Sequence, residues 1–149
     1  MAFLDWPDER SRLVEDPTLI DSAVDEILRY ESSNQLGNRR VVQDTEIDDV
    51  AMPAGTLITL AIGAANRDPE KFTKPDRLDI SRKPNRHLAF GSGPHLCLGL
   101  NLARLEGKIA IGRFVKRFPN YESAGFAKRG GRVRFRGFLS APLVPGKPV

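Results

Sequence analysis

One short segment, Phe90–Gly99, restricts the possible folds of this chain more than any other feature of its sequence. Three of its residues are glycine and one is proline, which leaves little room for a helix or a strand. The segment also holds the only cysteine of the 149-residue chain, Cys97, so no internal disulfide can form. A lone cysteine is typical of the reducing cytoplasm, which is the location that we expect.

A helix is predicted directly after this segment, over Leu98–Phe118, and Pro119 ends it. Cys97 would therefore lie at a helix N-terminus, where unpaired amide N–H groups and the helix dipole favour a negatively charged sulfur. Glycines permit left-handed backbone conformations and the close approach of a large flat group. The segment thus predicts a rigid loop that presents a thiolate.

Four roles for Cys97 are compatible with this pattern. It could be an inert buried residue, or a nucleophile activated by His95, although no third group that would orient this histidine is evident. With His95 and His87 it makes at most three zinc ligands, whereas structural zinc sites use four. The fourth role, a thiolate ligand to haem iron, accounts for the glycines, the cysteine and the following helix together.

A second helix is predicted earlier in the chain. Asp16 is a plausible N-cap, Pro17 suits the first helical position, and apolar residues then recur at helical spacing until Ser32. Glu26 and Arg29 lie three residues apart on this helix, away from its apolar stripe.

Short strands and irregular chain are predicted elsewhere. Residues 39–49 read as a strand, a turn and the start of a second strand; residues 56–62 read as another strand, and 63–66 as a short helix. Residues 67–86 are rich in proline, turn pairs and charges and should be irregular. Near the C-terminus, Arg132–Arg136 alternates charged and apolar residues, which predicts a strand with Val133 and Phe135 inward.

Composition narrows the class of protein. With 40% hydrophobic and 28% charged residues, the chain resembles a soluble globular protein rather than a disordered, collagen-like or disulfide-rich one. The longest apolar run, Leu57–Ala65, is far shorter than the roughly 20 residues that a spanning helix needs. The acidic N-terminus does not resemble a signal peptide, so we expect no membrane association.

The charge is unevenly distributed along the chain. The formal net charge is +4, but residues 1–100 carry a net −5 and residues 101–136 a net +8. The basic part could be an ordinary solvated surface, or it could attract an acidic protein, a nucleic acid or a lipid surface. A nucleic-acid-binding module would rest on this part and on Lys128–Arg132, but few aromatic residues lie among the cations, so we expect no nucleic acid partner.

The motifs resemble one family. The haem-ligand loop of the cytochromes P-450 is similar to the pattern Phe90-x-x-Gly93-x-His95-x-Cys97-x-Gly99. The Glu-x-x-Arg of the family's K helix resembles Glu26-Ile-Leu-Arg29, and the family's later arginine element resembles Pro75-Asp-Arg77-Leu. The soluble bacterial members in particular have segments like Ala65–Pro69 and Arg86–Gly91.

This resemblance extends over residues 7–144 and matches only the C-terminal third of a full-length family member. It implies a mainly helical fold with small β-sheets (α+β), in which residues 1–149 form part of one domain. The implied elements are the K helix, β hairpins, an irregular meander, the cysteine-ligand loop, the L helix and a C-terminal hairpin.

The resemblance also implies a cofactor, haem b, with Cys97 as the proximal iron ligand. Phe90 would pack beside the sulfur, and Gly93 and Gly99 would let the loop fold under the haem. The anionic haem propionates would be bound by His95 and by an arginine five residues before an acidic residue. Arg39, five before Asp44, meets that description and is preferred to Arg40.

Three further sets of residues follow from the resemblance. A buried charged network on the proximal side would stabilise the haem-bound fold and contain Glu26, Arg29 and Arg77. A basic proximal face for an acidic, ferredoxin-type electron donor would contain Arg104, Lys108 and Arg113. The substrate pocket would contain Gln35, Leu36, Phe138 and Leu139, although Phe138 and Leu139 also suit a hairpin that closes a sheet.

The implied activity is that of a haem-thiolate monooxygenase, which uses O₂ and two electrons to insert one oxygen atom into an organic substrate. The family's oxygen-activating helix carries an acid–alcohol pair and precedes the K helix, but no such pair occurs before Ala23. Two hypotheses therefore stand side by side. The chain is either the C-terminal part of a monooxygenase or a truncated haem-binding fragment without catalytic activity.

Overall fold

The computed structural model describes all 149 residues and contains short antiparallel sheets among five α-helices. The helices are α1 Ala2–Asp5, α2 Pro7–Glu15, α3 Ile20–Tyr30, α4 Ile62–Ala65 and α5 Leu100–Arg117. The strands are β1 Gly37–Arg40, β2 Thr45–Ile47, β3 Val50–Met52, β4 Leu57–Leu60, β5 Glu122–Ser123, β6 Lys128–Arg129, β7 Phe138–Ser140 and β8 Leu143–Val144. This mixture confirms the predicted fold class.

The two predicted long helices are α3 and α5. Asp16 caps a 3-10 turn over Pro17–Leu19 by accepting the Thr18 N–H at 3.0 Å, and α3 continues from this turn. The helices α1 and α2 precede it, and neither was predicted from the sequence. α1 supplies Phe3 and α2 supplies Leu13 to the hydrophobic core.

Glycines allow α3 and α5 to pack closely. A Cβ added at Gly107 would lie 3.0 Å from Val24 Cγ1, and one at Gly112 would lie 3.5 Å from Ile20 Cγ1. The two helices thus meet where α5 has no side chain, and this contact joins the N-terminal part of the chain to the helix that follows the cysteine loop.

All four sheets have two antiparallel strands. β1 pairs with β4, so that Gly37 faces Leu60 and Arg39 faces Ile58. β2 and β3 form a hairpin through Asp48 and Asp49, whose φ angles of 49° and 63° are both positive. Two positive φ angles produce the mirror-image turn whose twist matches that of the flanking strands.

No helix or strand lies between Ala65 and Gly93, as the prolines and turn pairs of this segment predicted. Compact domains rarely contain irregular chain of this length without a functional reason. The backbone here is anchored instead by buried polar side chains, which are described with the site.

The C-terminal part differs from its prediction. Residues 132–136 form no strand, and Val133 and Phe135 are 79% and 52% exposed rather than inward. The reason is that this stretch pairs with the end of the α3–β1 connection instead of a sheet, through Gln35 N–H to Arg134 O and Arg136 N–H to Ser33 O, each at 2.8 Å. The C-terminal strands form two separate sheets: β5 pairs with β8, and β6 pairs with β7.

The hydrophobic core gathers residues from both ends of the chain: Ala2, Phe3, Leu13, Ala23, Leu78, Ile80, Val115 and Tyr121. Only some of the apolar side chains on and just before α5 contribute to this core. Leu98, Leu102, Leu105 and Ile109 form an exposed row, because α5 turns Gly107, Ile111 and Val115 toward α3 and the core. None of the helices combines the length and apolar character that crossing a bilayer requires.

Candidate functional site

A cavity of about 900 Å³ brings together four separate parts of the chain. This volume lies within the range of roughly 300–1,000 Å³ that is usual for small-molecule and cofactor sites. The lining residues are Ser33, Asn34, Gly37, Arg39, Leu60, Ala61, Ile62, Ala65, Leu88, Ala89, Phe90, Gly91, Ser92, His95, Cys97, Arg134 and Phe135. These four parts are residues 33–39 with β1, residues 60–65 with the end of β4 and α4, residues 88–97 with the loop that bears Cys97, and residues 134–135 near the C-terminus.

Two glycines shape the cysteine loop. Gly91 and Gly93 have φ angles of +72° and +60°, a backbone region that other residues rarely adopt. A Cβ at Gly91 would also lie 3.1 Å from the carbonyl oxygen of His95. The Cys97 N–H donates to the Phe90 carbonyl at 2.8 Å and closes the loop. Gly91, for which the sequence predicted no role, is thus more constrained than Gly93.

Cys97 lies at the N-terminus of α5 and is exposed. Gly99 caps the helix with an ordinary φ of −87°, so its role is not conformational. A Cβ there would lie 4.0 Å from Cys97 Sγ, which places the sulfur beside the first turn of the helix. The amides of Leu98 and Gly99, which follow Cys97 in the chain, donate to no backbone acceptor, as is usual for amides at the start of a helix.

Strand alternation separates the two adjacent arginines. Gly37 and Arg39 line the cavity, whereas Arg40 is on the other face of β1 and donates to the Gly55 carbonyl at 3.2 Å. Arg39 is half-buried, and its Nη1 donates to the Asn38 carbonyl at 2.8 Å. His95 is exposed at the end of a 3-10 turn and also lines the cavity. The structure thus brings Arg39, His95 and Cys97 to one cavity.

Phe90 is half-buried at the base of the loop. The His87 ring lies against it with centroids 5.8 Å apart, and the Arg104 guanidinium carbon lies 5.3 Å from its ring centroid. Burial lowers the pKa of His87, which outweighs the opposite effect of the nearby Asp25 carboxylate. His87 and Asp25 had no predicted part in this environment, since sequence spacing does not reveal that α3 meets the loop.

Glu26 and Arg29 form a buried ion pair on α3. Arg29 Nε lies 2.8 Å from Glu26 Oε2, and both side chains are fully buried. Arg29 also donates to three backbone carbonyls of the chain beyond α4, those of Asn66, Pro75 and Arg77. A buried charge is tolerated only when it is paired and hydrogen-bonded, as it is here. The pair therefore attaches the irregular segment to α3.

The third predicted member of this network is in a different place. The Arg77 side chain is exposed and only its carbonyl joins the network, whereas Arg82 Nε lies 3.1 Å from Glu26 and its side chain is 9% exposed. Arg82 takes this position because the chain turns between the two residues. Burial raises the pKa of neighbouring Asp79, but hydrogen bonds from Ser81 and the cations of Arg82 and Arg12 hold this pKa below its ordinary value.

Asn66 is a second buried anchor, and the sequence did not predict it. Its side chain is fully buried, donates to Ser32 Oγ at 2.6 Å and accepts the Leu88 N–H at 2.7 Å. Leu88 lies two residues before Phe90, so Asn66 connects the end of α3 to the start of the cysteine loop. An asparagine in a sequence pattern rich in turns gives no signal of burial.

The predicted basic face on α5 is partly paired with acidic residues of α3. Arg104 Nε lies 2.8 Å from Asp25, and Lys108 Nζ pairs with Asp21. Arg113 is exposed and forms no ion pair. The three predicted cations therefore share one helix, but only Arg113 presents an uncompensated charge.

The residues predicted for a substrate pocket do not line the cavity. Gln35 packs against Gly63, and Leu36 is not among the lining residues. Phe138 and Leu139 belong to β7, which pairs with β6, as the hairpin interpretation predicted. Arg134 and Phe135, neither of which was predicted, line the cavity in their place.

The chemistry of this donor set fits a haem. An exposed sulfur lies in a loop of backbone that only glycine adopts readily, and apolar side chains from β4, α4 and the loop line the space in front of it. The cationic donor Arg39 and the imidazole of His95 lie on the same cavity and suit anionic carboxylates. A flat apolar group with carboxylate substituents matches both parts of this lining.

Comparison with curated proteins identifies relatives over nearly the whole chain. Cytochrome P450 107B1 of Saccharopolyspora erythraea is 43% identical and covers 98% of this chain but only 37% of its own length. The biotin biosynthesis cytochrome P450 of Bacillus subtilis is 46% identical over 87% of this chain and 33% of its own length. The chain thus spans about a third of the length of these relatives.

Solved structures show the same relation. The cytochrome P450 PksS of the Bacillus subtilis bacillaene polyketide synthase superposes with a TM-score of 0.93 at 40% identity, over 98% of this chain and 39% of that one. P450BioI, solved in complex with an acyl carrier protein ligated to hexadec-9Z-enoic acid, gives 0.92 at 43% identity, over 95% and 37%. The family model "Cytochrome P450" matches residues 10–121. This chain therefore belongs to the cytochrome P450 family.

Proposed function

We propose that this chain forms the proximal part of the haem site of a cytochrome P450 monooxygenase, with Cys97 as the thiolate ligand to the iron. One observation carries the proposal. The only thiol of the chain, Cys97, is exposed just before the N-terminus of α5 and lines a cavity of about 900 Å³. A cysteine sulfur that is open to such a cavity is positioned to bind haem iron as its axial ligand.

The other lining residues would bind and orient the cofactor. Arg39 and His95 would donate hydrogen bonds to the propionates, and Leu60, Ile62 and Ala65 would contact its apolar surface. Phe90, Gly93 and Gly99 would keep the loop close beneath the ring. When bound, the haem supplies the activation of molecular oxygen by which one oxygen atom enters an organic substrate.

The form of haem that we propose is haem b, which is held without covalent attachment. Cys97 is the only cysteine, and as the iron ligand it cannot also form a thioether bond to the porphyrin edge. The same lone cysteine supports a reducing compartment, and we propose that the protein acts in the cytoplasm.

The electron donor that we propose is an acidic, ferredoxin-type protein that docks on α5. Arg113 presents an uncompensated charge there, and Arg104 and Lys108 could exchange their α3 partners for carboxylates of the donor. Attraction of this kind acts mainly on the association rate and weakens as salt increases. Reduction that is insensitive to ionic strength would contradict this docking face.

Haem ligation is tested by the carbon monoxide difference spectrum of the reduced, haem-reconstituted chain. We expect a Soret band at the position typical of thiolate ligation, and we expect Cys97→Ala to lose it. Ser123→Ala, on β5 and outside the cavity, is the matched control and should retain the band. Absence of haem uptake by the unaltered chain would overturn the proposal.

Turnover is a separate measurement. If the chain shows the thiolate-type band but does not oxidise any substrate in the presence of a ferredoxin and its reductase, it binds haem without catalysis. That result would favour the hypothesis of a haem-binding part over that of an active monooxygenase.

A further inference from the structure

The imidazole of His87 is buried, and one of its nitrogens has no hydrogen-bond partner. Its side chain is 2% exposed, and its Nδ1 accepts the Ala89 N–H at 3.2 Å, so the proton of the neutral ring lies on Nε2. Nε2 lies 3.5 Å from Asp25 Oδ1, at the outer limit of hydrogen-bond distance, and forms no hydrogen bond there. Buried polar atoms are usually paired, so Asp25 is the group to which this nitrogen is directed.

The Asp25 carboxylate is shared. Its Oδ1 also accepts the Nε–H of Arg104, at 2.8 Å, and the two side chains are 30% and 35% exposed. Asp25 Oδ1 on α3 thus faces both the buried imidazole of His87, which precedes the cysteine loop, and the guanidinium of Arg104 on α5.

Both partners of Asp25 contact the same aromatic ring. The His87 ring centroid is 5.8 Å and the Arg104 guanidinium carbon 5.3 Å from the centroid of Phe90. The Phe90 carbonyl in turn accepts the Cys97 N–H at 2.8 Å. A continuous set of contacts therefore runs from α3 to the residue that bears the sulfur.

We propose that Asp25 is a positioning residue for Cys97, because it holds His87 and Arg104 against the Phe90 ring and so fixes the loop that presents the sulfur. Asp25 lines no part of the cavity, so it acts through these three residues and not by contact with a cofactor. The relevance to catalysis rests on the function proposed above. The positioning of Cys97 does not depend on a bound cofactor and can be measured in its absence.

The competing interpretation is that Asp25 and Arg104 form an ordinary surface ion pair, which would contribute little to stability and nothing to the loop. The chain contains a matched control for it. Asp21 pairs with Lys108 between the same two helices, but neither residue contacts Phe90 or His87. Asp25→Asn and Asp21→Asn each remove one carboxylate charge from α3 and retain its shape.

The test uses two readouts on the chain without haem. The first is the NMR resonances of the Phe90 ring, and the second is the alkylation rate of Cys97, which is the only thiol and is exposed. We expect Asp25→Asn to move the Phe90 resonances and to change the alkylation rate by about threefold or more. Asp21→Asn should change neither, and equal effects of the two variants would overturn the proposal.

A double variant tests whether the residues act together. If Asp25 acts through Arg104, then Asp25→Asn combined with Arg104→Gln should change the alkylation rate no further than the larger single effect. Multiplied effects would overturn the shared role. Far-UV circular dichroism of each variant shows whether it retains the native helix content.

The reconstituted chain provides the cofactor readout. Asp25→Asn should shift the midpoint potential of the bound iron, and Asp21→Asn should not; equal potentials would overturn the link to the cofactor. If no variant and no unaltered chain takes up haem, the proposed function fails. The Phe90 resonances and the alkylation rate then still decide whether Asp25 positions Cys97.

Discussion

Glu26 lies on α3, yet its carboxylate accepts hydrogen bonds from residues up to 59 positions away in the sequence. It binds Arg29 on its own helix, and the Asp79 N–H, Arg82 and Asn85 from the irregular segment. A single fully buried carboxylate therefore replaces the hydrogen bonds that a helix or strand would supply to that segment.

The first prediction at the residue scale distinguishes two arginines. Arg29→Ala should lower the free energy of unfolding by about 3–5 kcal/mol, because it leaves the Glu26 charge buried without its main partner. Arg77→Ala should change it by no more than about 0.5 kcal/mol, since the exposed side chain is lost but the bonded carbonyl remains. Urea denaturation of both variants provides the measurement. A loss of only a few tenths of a kcal/mol for Arg29→Ala would contradict a buried network.

The second prediction at the residue scale concerns how the stability of the fold depends on pH. The pKa of His87 is lowered by burial, so the unfolded chain binds a proton at a higher pH than the folded chain does. The stability that neutral His87 provides is present above its ordinary pKa of 6.5 and is lost as the pH falls through that value toward the lowered one. His87→Gln should therefore flatten the decline in stability from about pH 7.5 to about pH 5.

His95 provides the control for this measurement, since it is the only other histidine and is exposed. Denaturation midpoints across the same pH range should decline for His95→Gln as they do for the unaltered chain. A decline that persists in His87→Gln would assign the pH dependence to other groups.

At the scale of elements, the contact between α3 and α5 depends on glycines that intrinsic helix propensity disfavours. Alanine is better than glycine in a helix interior by about 1 kcal/mol. Gly112→Ala should approach this gain, because its Cβ would lie in ordinary contact with Ile20 at 3.5 Å. Gly107→Ala should lose most or all of it, since its Cβ would lie 3.0 Å from Val24.

Thermal unfolding of the two variants tests this difference. Combining Gly107→Ala with Val24→Ala should be less harmful than the two single effects predict, because the second change removes the atoms that crowd the first. Equal stabilisation by both glycine replacements would show that the helices are free to separate.

The elements themselves were predictable where local chemistry determines them. Asp16 and Pro17 marked the entry to α3, and Pro119 marked the end of α5. The strand predicted at Arg132–Arg136 was wrong because alternation of charged and apolar residues says nothing about whether a partner strand is available. The segment pairs with the loop between α3 and β1, and only the tertiary structure shows which segment is its partner.

At the scale of the whole molecule, the exposed row of α5 is an apolar surface of a kind that promotes association. Replacing Leu102 and Leu105 by glutamine should reduce concentration-dependent self-association while changing the free energy of unfolding by no more than about 1 kcal/mol, since both side chains are more than half exposed. Sedimentation velocity at several concentrations measures the association. Undiminished association of the double variant would assign it to another surface.

The site was predictable to the extent that its residues are adjacent in sequence. The loop and its helix placed Cys97 at the cavity, and Arg39, preferred to Arg40 because it stands five residues before Asp44, is the one of the two arginines that lines this cavity. The sequence could not distinguish Arg77 from Arg82, because both lie in one charged irregular segment and only the folded path shows which side chain is buried. Asn66 and Asp25 were missed for the same reason, since their partners lie 22 or more residues away.

The side-chain anchors of the irregular segment have a consequence for amide exchange with solvent. Three amides in this segment, at Asp79, Ile80 and Leu88, donate to side-chain oxygens of Glu26, Glu9 and Asn66. In hydrogen–deuterium exchange these three amides should be slow although they belong to no helix or strand, and Asn66→Ala should make the Leu88 amide fast while the Asp79 amide stays slow. Slow exchange in this segment is therefore due to hydrogen bonds to buried side chains, whereas in α5 it is due to the backbone hydrogen bonds of the helix.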